Sequence, residues 1–131
     1  MHFLLEPATF EDCWHIFDWR NDEATRAASK SLAPLDPTSH EKWFVTRMNM
    51  PCPNLFIAKL NGVPVGSVRI DDGTLSYMVA PAFRRRGVAK AMLAAIRVQF
   101  GSLKAEIKSG NIASEKAARA AGHHVLILED A

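Results

Sequence analysis

The sequence predicts an α/β domain of the α+β type, with a central mixed, mostly antiparallel sheet flanked by helices. Three observations carry that prediction. The turn signals Asn61-Gly62 and Asp71-Asp72-Gly73 join three short alternating runs into an antiparallel meander. Segments of helical period lie before it, and helical and strand periods alternate after it. With 131 residues, 48% hydrophobic and 23% charged, the chain can bury one core, so a single domain is expected over residues 1–131.

In order along the chain, residues 2–6 read as a first strand closed by Pro7. Thr9 and Asp12 form a capping-box pair for a helix whose expected buried side is Trp14, Ile16 and Phe17 and whose end lies near Trp19-Arg20-Asn21. Residues 22–29 make a short alanine-rich helix, and residues 30–36 a loop marked by Pro34 and Pro37. Ser39 caps the next helix, which places Trp43, Phe44 and Met48 on one side and Glu41 and Lys42 toward water. Pro51 and Pro53 end it, and strands follow at residues 54–60, 63–70 and 74–80. In the last of these Leu75, Tyr77 and Val79 alternate with Ser76, Met78 and Ala80 until Pro81, which has no N–H to give, stops the ladder. Ala89, Leu93, Ile96 and Phe100 then mark one face of a helix over residues 88–100, closed by Gly101. Residues 103–108 alternate as a half-exposed strand, residues 113–121 form a helix closed by Gly122, and residues 123–129 form a last strand too apolar for a free edge.

The junction at Gly87 carries the chemistry. The first N–H groups of a helix have no partner inside it and its N-terminus bears partial positive charge, so such an end receives anions. Gly87 removes a side chain at the point of approach, Ala89 keeps the next turn small, and Arg84, Arg85 and Arg86 add phosphate-compatible donors. The implied guest is a phosphate or pyrophosphate.

Arg84-Arg85-Arg86-Gly87-Val88-Ala89 resembles the Arg/Gln-x-x-Gly-x-Gly/Ala signature of the GNAT superfamily of acyl-CoA-dependent N-acyltransferases. The strand end Tyr77-Met78-Val79-Ala80-Pro81 before it and the Ala-Met-Leu-rich helix after it fit the same pattern, and Asn111, Ser114 and Gly122 stand at the offsets of the family's next motif. The resemblance extends over nearly the whole chain. It implies a sheet splayed between the fourth and fifth strands and acetyl-CoA as the acyl donor. Backbone groups of Met78, Val79 and Ala80 would meet the pantetheine arm. The N–H groups of Arg85, Arg86, Gly87, Val88 and Ala89 would meet the pyrophosphate, with the side chains of Arg84, Arg85 and Arg86 as electrostatic support and Asn111 and Ser114 as further cofactor contacts.

Several positions depart from the family pattern. Ala118 stands where many relatives have a tyrosine acid, and Tyr77, the only tyrosine, is either a substitute acid or a packing residue. The base is unassigned, and a water chain serves as well as a side chain. His123 replaces a usual phenylalanine, which predicts looser packing after Gly122. One strand follows the second motif where relatives commonly have two, so either the sheet is shorter or a second copy of the chain covers its edge.

The acceptor is read from the N-terminal third. Trp19, Arg20, Asn21 and Asp22, then Arg26, then His40, Trp43 and Phe44 resemble the subgroup that acetylates nucleotide-linked amino sugars, including those of pseudaminic acid synthesis. Ribosomal-protein N-terminal acetyltransferases share parts of it. Trp19 and Trp43 can stack on a sugar or base and Arg20 can meet a phosphate; equally, both tryptophans can be core. His40 is either near the substrate end or a solvated helix-start histidine. The acidic Asp18, Asp22 and Glu23 are matched by Arg20 and Arg26 at helix spacing, which disfavours a peptide acceptor. A small-molecule amine is therefore expected, with a non-catalytic acyl-CoA-binding module as the alternative from another class.

Composition sets the remaining bounds. A net charge of +2 argues against nucleic acid as a partner. Cys13 and Cys52 are in no metal or redox spacing and read as free thiols, the five histidines form no metal pattern, and no apolar run approaches a membrane span. A cytoplasmic protein is expected.

Overall fold

The structure, a computed structural model, describes residues 2–28 and 35–128, with backbone only at residues 23, 26 and 28. The expectations placed on residues 29–34, on Glu129 and on the Glu23 and Arg26 side chains lie outside the described residues. The elements run β1 (Phe3–Pro7), α1 (Cys13–Asn21), α2 (Glu23–Ala28), α3 (Pro37–Met48), β2 (Leu55–Leu60), β3 (Val63–Asp71), β4 (Thr74–Val79), α4 (Val88–Phe100), β5 (Lys104–Lys108), α5 (Ile112–Ala120) and β6 (His124–Leu128). Single 3-10 turns at Phe10–Asp12 and Pro81–Phe83 introduce α1 and follow β4.

Among the described residues the strands form one mixed sheet in the order β1-β2-β3-β4-β5-β6. The first four pair antiparallel, and between β2, β3 and β4 two-residue turns reverse the chain. Asn61 (φ 51°) and Gly62 (φ 82°) take the left-handed angles that such a turn requires. β5 and β6 lie parallel to β4 because each is reached through a helix, α4 and then α5.

Each face of the sheet has its own core. Val88, Met92, Leu93 and Ile96 of α4 and Ala118 of α5 pack on Phe56, Val68, Leu75, Ala105 and Ile107, with Tyr77 and Val79 partly buried beside them. On the opposite face Cys13, Ile16 and Trp19 of α1 and Phe44 of α3 cover Leu55, Ile57 and Ala80, with Trp43 and Met78 at the margin. Strand alternation therefore sends Tyr77 toward α4 and α5 and Met78 toward α1 and α3.

Several expectations are corrected. Trp14 is 47% exposed, and Cys13 and Trp19 take the buried positions of α1 beside Ile16. α3 begins at Pro37 and not after Ser39: Asp36 is its cap, accepting from the Ser39 N–H at 3.0 Å, and Pro is tolerated at the first helical position because the N–H it lacks would be unpaired there. His123 does not loosen the packing after Gly122. It is 6% exposed, accepts at Nδ1 from the Leu103 N–H (3.2 Å) and donates from Nε2 to the Leu93 carbonyl (2.9 Å), tying α4 to the entrance of β5. β6 forms an edge of the described sheet despite its apolar run, leaving Leu126 and Ile127 each 39% exposed.

Candidate active site

β4 and β5 part company almost at once. Their pairing consists of Thr74 with Lys104 and Leu75 with Ala105, whereas β3 follows β4 as far as Val79 and β6 follows β5 along its whole length. From Ser76 onward the edge of β4 that faces β5 has no strand partner among the described residues and lines a notch. The β3/β4 ladder takes up the backbone groups of Ser76 and Met78, contrary to the expectation for Met78, and leaves those of Tyr77 and Val79 turned to the open edge and available to an extended ligand. Ala80 does not extend this row: its N–H donates to Val65 O (2.8 Å) and its carbonyl accepts from Phe83 N (2.9 Å).

The notch leads to the arginine turn. Arg85 (φ 62°) and Gly87 (φ 77°) both sit in the left-handed region, and Gly87 is the residue before α4. No side chain caps α4 and no acidic residue stands in its first turn. By contrast Asp22, Asp36 and Asn111 each accept a backbone N–H at the start of α2, α3 and α5. The opening N–H groups of α4 are thus left for another acceptor, and nothing lies within 4 Å of where a Gly87 side chain would begin.

The three arginines divide. Arg84 turns back to the start of α2, donating to Asp22 Oδ2 (2.5 Å) and Thr25 Oγ1 (2.9 Å). Hydrogen bonding to Arg84 holds the Asp22 carboxyl below the usual range. Arg86 lies over the Phe83 ring at 5.5 Å, and Arg85 is exposed. Across the notch, Lys108 at the end of β5 donates to the Ala27 carbonyl (3.1 Å). α2 is therefore tied to both lips of the splay, and a cleft of about 400 Å³ lies between it and Lys108, Ser109, Gly110 and Asn111.

Tyr77 points to the α4/α5 side of the notch. Burial raises its phenol above the ordinary value, and a hydrogen bond with the Ser114 side chain offsets part of the rise. The hydroxyl is thus protonated at neutral pH and able to donate. Ala118, in the position of the family tyrosine, is fully buried. Asn111 spends its Oδ1 on the cap of α5, at 3.4 Å from Ser114 N.

The residues expected to meet the acceptor come apart. Trp19 is core, 9% exposed. Asn21 clasps the Leu35 backbone through both ends of its amide, at 2.6 and 3.4 Å. His40 is neither solvated nor open to a ligand: it is fully buried, donates from Nε2 to the Cys13 carbonyl (2.7 Å) and accepts at Nδ1 from Arg20 (3.2 Å). Burial, opposed by the bond to Cys13 and aided by the nearby Arg20 charge, lowers its pKa and keeps the ring neutral. Arg20 and Trp43 are half-exposed and stacked, with the guanidinium 4.3 Å from the indole centroid.

Two groups had no counterpart in the sequence reading. Arg47 and Arg69 join Arg20 around Trp43, at 5.6 and 6.0 Å from its centroid. Arg47 stands one helical turn after Trp43, a signal present in the sequence; Arg69 arrives through the pairing of β3 with β2 and β4, which spacing does not reveal. Glu106 is the second. It follows Ala105, the last β5 residue paired with β4, and alternates with the α4-facing Ala105 and Ile107, so it projects on the α1/α3 face at the start of the splay.

A mixed sheet splayed at the fourth strand, with a bare helix N-terminus beyond it, defines the class of acyl-CoA-dependent acyltransferases. The comparisons agree: the family profile described as an acetyltransferase (GNAT) domain matches residues 2–124, and the chain belongs to that family. It is an acetyltransferase, and acetyl-CoA is the acyl donor of the family. No curated protein sequence gives a match. Among solved structures, yncA from Salmonella typhimurium with its cofactor acetyl-CoA is similar at 22% identity and a TM-score of 0.74, covering 93% of this chain and 79% of that one. A ribosomal-protein-alanine N-acetyltransferase from Brucella melitensis is similar at 25% identity and a TM-score of 0.72, covering 91% and 83%. An aminoglycoside acetyltransferase in complex with coenzyme A has a TM-score of 0.72 at 14% identity, covering 92% and 83%.

Proposed function

We propose that this chain is a single N-acetyltransferase domain that moves an acetyl group from acetyl-CoA to a primary amine on a nucleotide-linked amino sugar. The observation that carries the acceptor is the half-exposed Arg20–Trp43 stack on the α1/α3 side of the splay, cationic and aromatic together. A diphosphate and a sugar ring are complementary to that pair, whereas a cationic peptide N-terminus calls for an acidic collar. On the donor side, the unpaired backbone groups of Tyr77 and Val79, with Met78 between them, suit the pantetheine amides, and the bare N–H groups from Gly87 to Ala89 suit the pyrophosphate. Asn111, at the start of α5, borders the cleft under α2, and Ser114 stands one turn further along beside Tyr77.

In the transfer the amine nitrogen bonds to the acetyl carbon, the carbon–sulfur bond breaks, the amine loses a proton and the thiolate gains one. Tyr77, protonated and close to Ser114, is the candidate donor to the thiolate. Glu106, on the acceptor face where the strands separate, is the candidate base, directly or through water. The edge at β6 is the surface on which a second copy would pair, and light scattering at micromolar concentration tests it.

The acceptor is tested by kcat/KM for a UDP-linked 4-amino sugar, for the same sugar without its nucleotide, and for an Ala- or Ser-initiated peptide. Preference for the nucleotide-linked sugar is expected. Preference for the peptide, or indifference to the nucleotide, discards the acceptor and leaves the acetyl-CoA site standing.

A further inference from the structure

Three guanidinium groups on three different elements converge on one indole. Arg20 comes from α1, Arg47 from α3 and Arg69 from β3, and all three lie within 6.0 Å of the Trp43 centroid. Their pairing is unequal. Arg47 is satisfied: it holds Asp71 through two bonds of 2.6 Å and Asn54 through a third of 2.8 Å, with its side chain 10% exposed. Arg20 touches the neutral His40 ring and, among the described residues, no carboxylate within ion-pair distance. Arg69 comes within 3.4 Å of Asp71, but its buried Nε is misdirected and makes no hydrogen bond.

Gathering like charges costs energy, and an unpaired buried N–H costs more. Burial and then the charges of Arg69 and Arg47 lower the pKa of Arg20; burial and then Arg47 lower that of Arg69, against the opposing charges of Asp71 and Glu106. The arrangement is compensated when an anion sits between the free donors. Its position suits an acceptor: Arg69 pairs across the sheet with Ser76, the first residue of β4 beyond the last contact with β5. The cluster thus stands beside the notch on the α1/α3 face, with Arg20 half-buried and the Arg69 side chain 38% exposed.

We propose that Arg20, Arg47 and Arg69, gathered around Trp43, form a subsite for an oxyanion carried by the acceptor, a phosphate or a carboxylate. The subsite rests on the acetyl-transfer reading and adds to it that Arg20 and Arg69 supply the donors while Arg47, locked on Asp71, supplies field and holds the indole. Trp43 is the platform for the guanidinium groups, so one of its faces is not offered to a base.

The test uses the full chain saturated with coenzyme A, so that the turn at Gly87 is already filled. UDP and malonate are titrated separately, followed by calorimetry and by Trp43 fluorescence, with Trp43→Phe identifying the signal. At least one probe is expected to bind, and Arg20→Gln and Arg69→Gln each to weaken it about tenfold, the loss of a charge-assisted hydrogen bond. UDP binding alone assigns the oxyanion to phosphate, malonate alone to carboxylate. Arg69→Gln carries the comparison if Arg20→Gln disturbs the His40 contact and unfolds. Binding by neither probe, or binding that Arg69→Gln leaves unchanged, overturns the subsite. UDP binding lost in Arg69→Gln without turnover of UDP-amino sugars fails the acceptor assignment alone; turnover unchanged by Arg69→Gln fails the subsite alone.

Discussion

Tyr77 and His40 illustrate how far a residue's chemistry is set by what surrounds it. A lone strand tyrosine is open to two readings from sequence, and the splay together with the Ser114 contact favours the acid. Tyr77→Phe should lower kcat about a hundredfold with the KM for acetyl-CoA little changed, since general acid help is typically of that size. A loss below tenfold would indicate unassisted thiolate departure. Glu106→Gln should reduce kcat by a similar factor; an unchanged kcat would return the base to water. His40 makes a prediction about stability. Its folded-state pKa lies below that of the unfolded chain, so the folded protein takes up the proton less readily. Its contribution is complete above about pH 6.5 and declines as pH falls through that value toward the lower folded one, by at most about 1.4 kcal/mol per pH unit. Urea midpoints between pH 8 and 5 should show this decline, and His40→Gln should flatten it. An equal slope in both would remove His40 as the cause. Burial of His40 was not legible in the sequence, because Pro37 moved the start of α3 and turned the ring inward onto Cys13.

At the scale of elements, α2 is held from both sides of the notch, by Arg84 on Asp22 and Thr25 and by Lys108 on Ala27. Arg84→Ala should therefore raise the KM for the acceptor more than the dissociation constant for acetyl-CoA, because the backbone donors of α4 remain. The reverse pattern, measured by initial rates and calorimetry, would place Arg84 on the pyrophosphate instead. The same change removes the partner that depresses Asp22. Stability from that pair is present above the ordinary carboxylate range, about 4, and is lost as pH falls through the lower folded-state value. Hairpins and helix spans were legible because Asn-Gly, Asp-Gly and apolar spacing act locally. The ties of α2 were not, since Asp22 and Arg84 are 62 residues apart.

At the scale of the whole molecule, the order of elements was enough to predict the mixed sheet, and the splay followed from the family resemblance carried by the contiguous arginine turn and the helix after it. The α1/α3 face, where we place the acceptor, was less legible. It is assembled by strand register and by two helices crossing the sheet, so Arg20, Arg47 and Arg69 meet only in three dimensions, while Trp19 and Asn21 are diverted to packing and to the Leu35 backbone. The central claim is that acetyl-CoA is held through the bare start of α4, and isothermal titration of acetyl-CoA into the unaltered chain and into Gly87→Glu tests it most directly. Gly87→Asn, which tolerates the left-handed angle without adding charge, controls for backbone strain. Binding by the unaltered chain, retention in Gly87→Asn and loss of at least tenfold in affinity in Gly87→Glu are expected; equal affinity in all three would contradict the account.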